Sequence, residues 1–185
     1  MTIDNRTDWR NWLMQNAATA KECWLCLKRG KPREDGNFWY LDAVEEALCF
    51  GWIDSTQKVV DGVQWQRFSP RAKGGLWTEL NKARVRRLER LGLMTDLGRA
   101  VLPPMGIDEY VPDCDVVAAL KAADVWDKLL TFPPLYRRIR LYNVSFYKTR
   151  DKAAYQKALA HLIDATRKGE LYGTWDDYGR LRDED

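Results

Sequence analysis

Asp61 and Gly62 stand between two runs with the composition of β-strands, WIDSTQKVV before them and VQWQRFS after. An Asp-Gly pair in that setting closes a two-residue hairpin, because both central positions of a type I′ turn need positive φ and these residue types adopt it most readily. The pair therefore commits residues 52 to 69 to antiparallel strands and excludes an all-helical fold. A third strand is expected over residues 22 to 29, ECWLCLKR, which is rich in strand formers, ends at Gly30 and should pair with the hairpin.

The rest of the chain carries helical periodicity. An opening helix capped by Thr7 places Trp9, Trp12 and Leu13 at i, i+3 and i+4. A second, over about 41 to 50, sets Leu41, Val44, Ala47 and Leu48 on one face before Gly51. A third is expected from Trp77 to Leu91, with Gly92 as its stop and Thr95 capping a short helix beyond. Helices near 115 to 122, 125 to 131, 134 to 148 and 151 to 168 follow. The expected class is α+β, mostly helical, with a small antiparallel hairpin or three-stranded sheet packed on helices. Pro103, Pro104 and Pro112 divide the chain into a motif-bearing domain over 1 to 101, a linker over 102 to 112 and a helical segment over 113 to 185.

Hydrophobic residues make up 45% of the sequence and charged residues 31%, enough apolar surface for a packed core, and nine tryptophans make that core aromatic. The N-terminal stretch lacks the basic-then-apolar order of a signal peptide, and no uncharged apolar segment reaches the ~18 residues of a membrane span. A cytoplasmic location is expected, with Cys23, Cys26, Cys49 and Cys114 as thiols. The net charge of +3 does not call for nucleic acid, although basic residues gather between Gln66 and Arg90 and again between Arg137 and Lys157.

On the 77 to 91 helix, Trp77, Leu80, Leu88 and Leu91 share a face, with Lys82, Arg86, Glu89 and Arg90 opposite. Asn81 and Arg84 fall among the apolar residues. A buried arginine needs a carboxylate or an anionic ligand, because an unpaired charge there costs several kcal/mol. Asp54, at the start of the hairpin, is the nearest supplier by sequence and is expected within reach of Arg84 or Arg71. A pocket in this region would be lined by Trp52, Asp54, Arg71, Trp77, Asn81 and Arg84.

Other chemistry has little support. Cys23-Trp-Leu-Cys26 is a lone CxxC whose sulfurs point to opposite faces of a strand, and a zinc site needs more ligands than it offers. His161 is the single histidine, which removes most His-dependent nucleophilic mechanisms. No GxxxxGK[ST] or GxGxxG occurs, so no cofactor is expected.

The succession Ala47-Leu48-Cys49-Phe50-Gly51-Trp52-Ile53-Asp54, then Phe68-Ser69-Pro70-Arg71, Trp77-Thr78, Asn81 and Gly92-Leu93-Met94-Thr95, resembles the YdeI/OmpD-associated family, also called bacteriocin-protection proteins. Val111-Pro112, Phe132 and Lys148-Thr149-Arg150 extend the likeness more loosely, while Gly75 and Lys152 depart from the family pattern. The resemblance implies a bacterial cytoplasmic protein linked to tolerance of bacteriocins or cationic peptides, with no established catalytic chemistry. Three functions are weighed on this basis. The first is a stress or antimicrobial-peptide tolerance factor that binds a small molecule or a protein partner. The second is an enzyme using Asp54, with Arg71 and Arg84 holding a small anionic substrate; the third is a weak nucleic-acid binder. The oligomeric state is left open.

Overall fold

The computed structural model describes residues 3–182. Among the described residues it is an α+β fold of eight α-helices and one three-stranded antiparallel sheet. The chain divides into two compact units, Met1–Leu76 with Arg84–Pro103, and Trp77–Ala83 with Pro104–Asp185.

The sheet belongs to the first unit. Strands β2 (Trp52–Val60) and β3 (Val63–Pro70) form the hairpin, with Asp61 at φ 51° and Gly62 at φ 77° as its turn. Strand β1 (Cys23–Cys26) pairs with β3, giving the order β1-β3-β2. The β2–β3 register runs evenly from Trp52↔Pro70 to Asp54↔Phe68 and then shifts, resuming at Gln57↔Gln66. That bulge is held from the inside. Gln66 is buried, and its amide donates to the carbonyls of Ser55 and Thr56, both at 3.3 Å. The extra residue of a bulge leaves ladder groups unpaired, and a side-chain amide at this position satisfies them.

Helix α1 (Arg6–Asn16) and helix α2 (Tyr40–Cys49) pack in the same unit. Asn5, not Thr7, caps α1, its side chain accepting from Asp8 N at 2.9 Å. Asn is as good a cap as Thr, and here it stands where the chain is still extended. The core is aromatic: Trp9 stacks on Trp12 at 5.2 Å and meets Phe68 at 5.5 Å, while Trp12 meets Trp52 edge-on at 5.6 Å. Buried indoles need an acceptor for their N–H, and both get one, Trp9 from Ala43 O and Trp52 from Ala17 O.

Helix α3 (Glu79–Arg90) supplies residues to both units, and α4 (Asp96–Arg99) is capped by Thr95. The expected division of α3 into an apolar and a solvated face is only partly met. Glu79 and Asn81 are buried with Ala83, Val85 and Leu88, Lys82 and Arg86 are half-buried, and Leu91 is exposed because the helix ends one residue before it.

The second unit is built from α5 (Cys114–Ala122), α6 (Trp126–Leu130), α7 (Pro134–Tyr147) and α8 (Lys152–Lys168), with a short 3-10 turn at Asp177–Gly179. Val116, Leu120, Leu129, Tyr136, Val144 and Leu162 form its main core. Among the described residues, no helix is long and apolar enough to cross a membrane.

Candidate functional site

Tyr40 opens α2, and its hydroxyl donates a 2.5 Å hydrogen bond to Asp54 Oδ2 at the start of β2. Both residues are half-buried. The Arg29 guanidinium lies over the Tyr40 ring at 3.7 Å and donates through Nη2 to Gln66 Oε1 at 2.7 Å. A chain of contacts therefore runs from Asp54 through Tyr40 and Arg29 to the glutamine that fastens the bulge. Burial first, and then the neighbouring Asp54 charge and its hydrogen bond, push the Tyr40 hydroxyl up to about 12, against an opposing pull from Arg84 and Arg29. At neutral pH Tyr40 is thus a fixed donor, and Asp54 an acceptor with a cationic flank.

Asp54 was expected against Arg84 or Arg71, but its partner is Tyr40, and it forms no ion pair among the described residues. The first turn of α2 reaches the strand start and supplies the donor. Arg84 is half-buried and near enough to influence Tyr40. Arg71 is buried, its Nη1 donating to Leu76 O at 3.0 Å and its backbone N–H to Gly51 O. Trp52 is a core residue, only 1% exposed. These four lie in the first unit, whereas Trp77 and Asn81 belong to the second. There Trp77 lines a polar cleft of about 510 Å³ together with Glu79, Lys82, Tyr110 and Asp113. Asn81 N–H donates to Thr78 Oγ1 at 3.1 Å, which closes the first turn of α3.

Sequence reasoning missed the most strongly charged cluster of the first unit. Glu45 and Glu46 on α2 are both buried. Arg6 reaches Glu46 at 2.6 Å, Glu45 at 3.2 Å and Asp42 at 3.3 Å; Arg10 reaches Glu46 at 2.7 Å, and Arg87 reaches Glu45 at 2.9 Å. Buried carboxylates persist only when paired in this way. Beside them, burial pushes the Cys49 thiol up to about 12, and Cys23 is likewise raised to about 11. Neither is an activated nucleophile, since the thiolate is the reactive form. Among the described residues, no group of three or more His, Cys, Asp or Glu side chains could hold a metal ion.

No curated protein and no solved structure matches the chain. Residues 1–101 match the family described as Domain of unknown function (DUF8412), a span that takes in the sheet, α1 to α4 and the Tyr40–Asp54 pair. With more than half of its length matched, the chain belongs to the DUF8412 family.

Proposed function

We propose that the protein is a binding factor rather than an enzyme, recognising a small polar ligand or a protein partner through the exposed Arg29 and the half-buried Tyr40 and Asp54. The observation that carries this reading is the 2.5 Å bond from Tyr40 to Asp54. It engages one oxygen of the carboxylate that an enzyme would use as its base, and Tyr40, pushed up to about 12, keeps its proton across the physiological range. A general base works best with a pKa near the operating pH and within reach of the proton it removes. A fixed donor, a carboxylate and an exposed arginine instead suit recognition by hydrogen bonds and charge.

The motif succession from Ala47 to Thr95, similar to that of bacteriocin-protection proteins, supports a role in stress or antimicrobial-peptide tolerance inside the cell. Native mass spectrometry of the purified protein tests the binding reading. A copurifying molecule that leaves unchanged on denaturation, and is absent from an Asp54→Ala variant of normal fold, is the expected result. Asp54-dependent conversion of that molecule to a product would overturn it. For the biological role, cells lacking the protein should be more sensitive to a cationic peptide and be rescued by wild type but not by Asp54→Ala; equal sensitivity with and without the protein removes that role.

A further inference from the structure

Arg140 lies on the buried side of α7 and is only 8% exposed. Its Nη2 donates to the Tyr172 carbonyl, and its guanidinium carbon sits 4.3 Å from the Tyr172 ring centre and 5.1 Å from that of Tyr136. Its Nε is buried without a hydrogen-bond partner, and among the described residues no carboxylate forms an ion pair with it. The other arginines of the helix differ in kind: Arg138 faces Glu79 at 3.8 Å, and Arg137 donates to Leu130 O. A guanidinium offers five donors, and one carbonyl with two ring faces leaves most of them and the whole charge without an anion.

This arginine opens onto a cleft of about 400 Å³ that lies entirely within the second unit. Asn143, Phe146, Tyr147, His161 and Tyr172 share its walls. The Tyr172 edge lies close to the arginine: Gly173 has φ +69°, which other residues rarely adopt, and a Cβ there would come within 2.6 Å of Arg140 Nη2, the end of the side chain. The imidazole of His161 packs 4.2 Å from the Tyr172 ring. The volume falls within the usual range for small-molecule sites, where apolar and aromatic walls surround a few converging polar groups.

From the buried, carboxylate-free Arg140 in the wall of this aromatic cleft, we propose a binding site for a small oxyanion, a carboxylate or phosphate carried on an aromatic body. The arginine binds the oxyanion, Asn143 adds an amide donor, and the rings of Phe146, Tyr147 and Tyr172 cover the apolar part. Oxyanions suit arginine because the guanidinium donors match their geometry and form charge-assisted bonds. The site is independent of the Tyr40–Asp54 cluster, and its presence or absence leaves the reading of that cluster unchanged.

The probes are 4-hydroxyphenylacetate, phenyl phosphate, inorganic phosphate and the neutral 4-hydroxyphenylacetamide, titrated into the full chain and followed by calorimetry and amide chemical shifts. The expected result is that one or both aromatic anions bind at least tenfold more tightly than the amide and than inorganic phosphate, with shifts centred on α7 and Tyr172. Preference between the two anions then assigns carboxylate or phosphate. Arg140→Met, which keeps most of the aliphatic packing, should weaken the anions at least tenfold and leave the amide unaffected. Should that variant fail to fold, Asn143→Asp keeps the test intact: a carboxylate at the cleft wall competes for Arg140 and should give the same tenfold loss. Equal affinity of anion and amide, or anion binding unchanged in whichever variant folds, would overturn the proposal.

Discussion

Gly98 packs its Cα against the Cys49 carbonyl so closely that a Cβ there would lie 2.3 Å from the oxygen. The same carbonyl accepts from Thr95 N at 3.0 Å and from Thr95 Oγ1 at 2.7 Å, while Thr95 also caps α4 by accepting from Gly98 N. The end of α2 and the start of α4 are thus joined through one oxygen, a contact that only glycine at 98 permits. Gly98→Ala should destabilise the protein by about 2–3 kcal/mol, as forced overpacking does. Urea unfolding followed by Trp fluorescence measures this. A loss under about 0.5 kcal/mol, within the range of an ordinary surface substitution, would mean that α4 moves aside without penalty.

Tyr40 and Asp54 should behave as a coupled pair. Tyr40→Phe removes a donor to a charged acceptor and is expected to lower stability by about 1–2 kcal/mol, while adding it to Asp54→Asn should cost less than adding it to wild type. The pH dependence follows from the raised value. Because the folded pKa of about 12 exceeds the unfolded value of 10.0, the folded state holds this proton more tightly, so the contribution is complete below pH 10 and is lost as pH rises toward 12. Tyr40→Phe should therefore lose less stability than wild type over that interval. Parallel unfolding curves of the two proteins from pH 9.5 to 11.5 decide it, and equal slopes would remove Tyr40 as the source.

The ion network on α2 predicts a larger effect. Glu46→Ala leaves Arg6 and Arg10 without their shortest contacts and opens a gap beside Cys49, so a loss of about 3 kcal/mol is expected, in line with breaking a buried pair from one side. Arg6→Ala should cost less even though it touches three carboxylates, because its side chain is 36% exposed and Arg10 and Arg87 still serve Glu46 and Glu45. Thermal melts of the two variants, compared at equal pH and salt, test the order. A more damaging Arg6→Ala would place the keystone on the arginine.

The elements that local rules govern were legible in the sequence. Asp61-Gly62 dictates its own turn, and periodicity with stops such as Gly169 places the helices and strands, though their ends shift, as where the strand expected over 22 to 29 spans only Cys23–Cys26. Long-range pairing was not legible. Nothing in the local pattern marks Glu45 and Glu46 as buried, because their partners Arg6 and Arg87 lie about 40 positions away. The role of Gln66 is equally hidden, since a bulge leaves no mark in composition. Arg140 was absorbed into a basic run, although it stands four residues from Tyr136 and four from Val144 on the buried face of α7. The reasoning that singled out Arg84 on α3 would have found it there. For Asp54 the sequence suggested a basic partner where the structure has Tyr40, because an aromatic hydroxyl at a helix start carries no charge signal.

The four thiols give a final test of how firmly the first unit is closed. Cys26 and Cys114 are exposed, Cys23 is half-buried on β1, and Cys49 is fully buried at the end of α2. Alkylation needs the thiolate and a path for the reagent, and burial opposes both at Cys23 and Cys49. With iodoacetamide at pH 8, Cys26 and Cys114 should label first. Cys23, raised to about 11, should follow at least tenfold more slowly, and Cys49, raised to about 12 and enclosed by the ion network, should label only as the unit unfolds. Peptide mapping over time in low urea separates the two kinds of protection: the Cys49 rate should rise with urea in step with global unfolding, whereas the exposed pair should hardly respond. If Cys49 instead labels early and independently of urea, the end of α2 opens locally, and the contact of Gly98 with the Cys49 carbonyl is not the clasp described above.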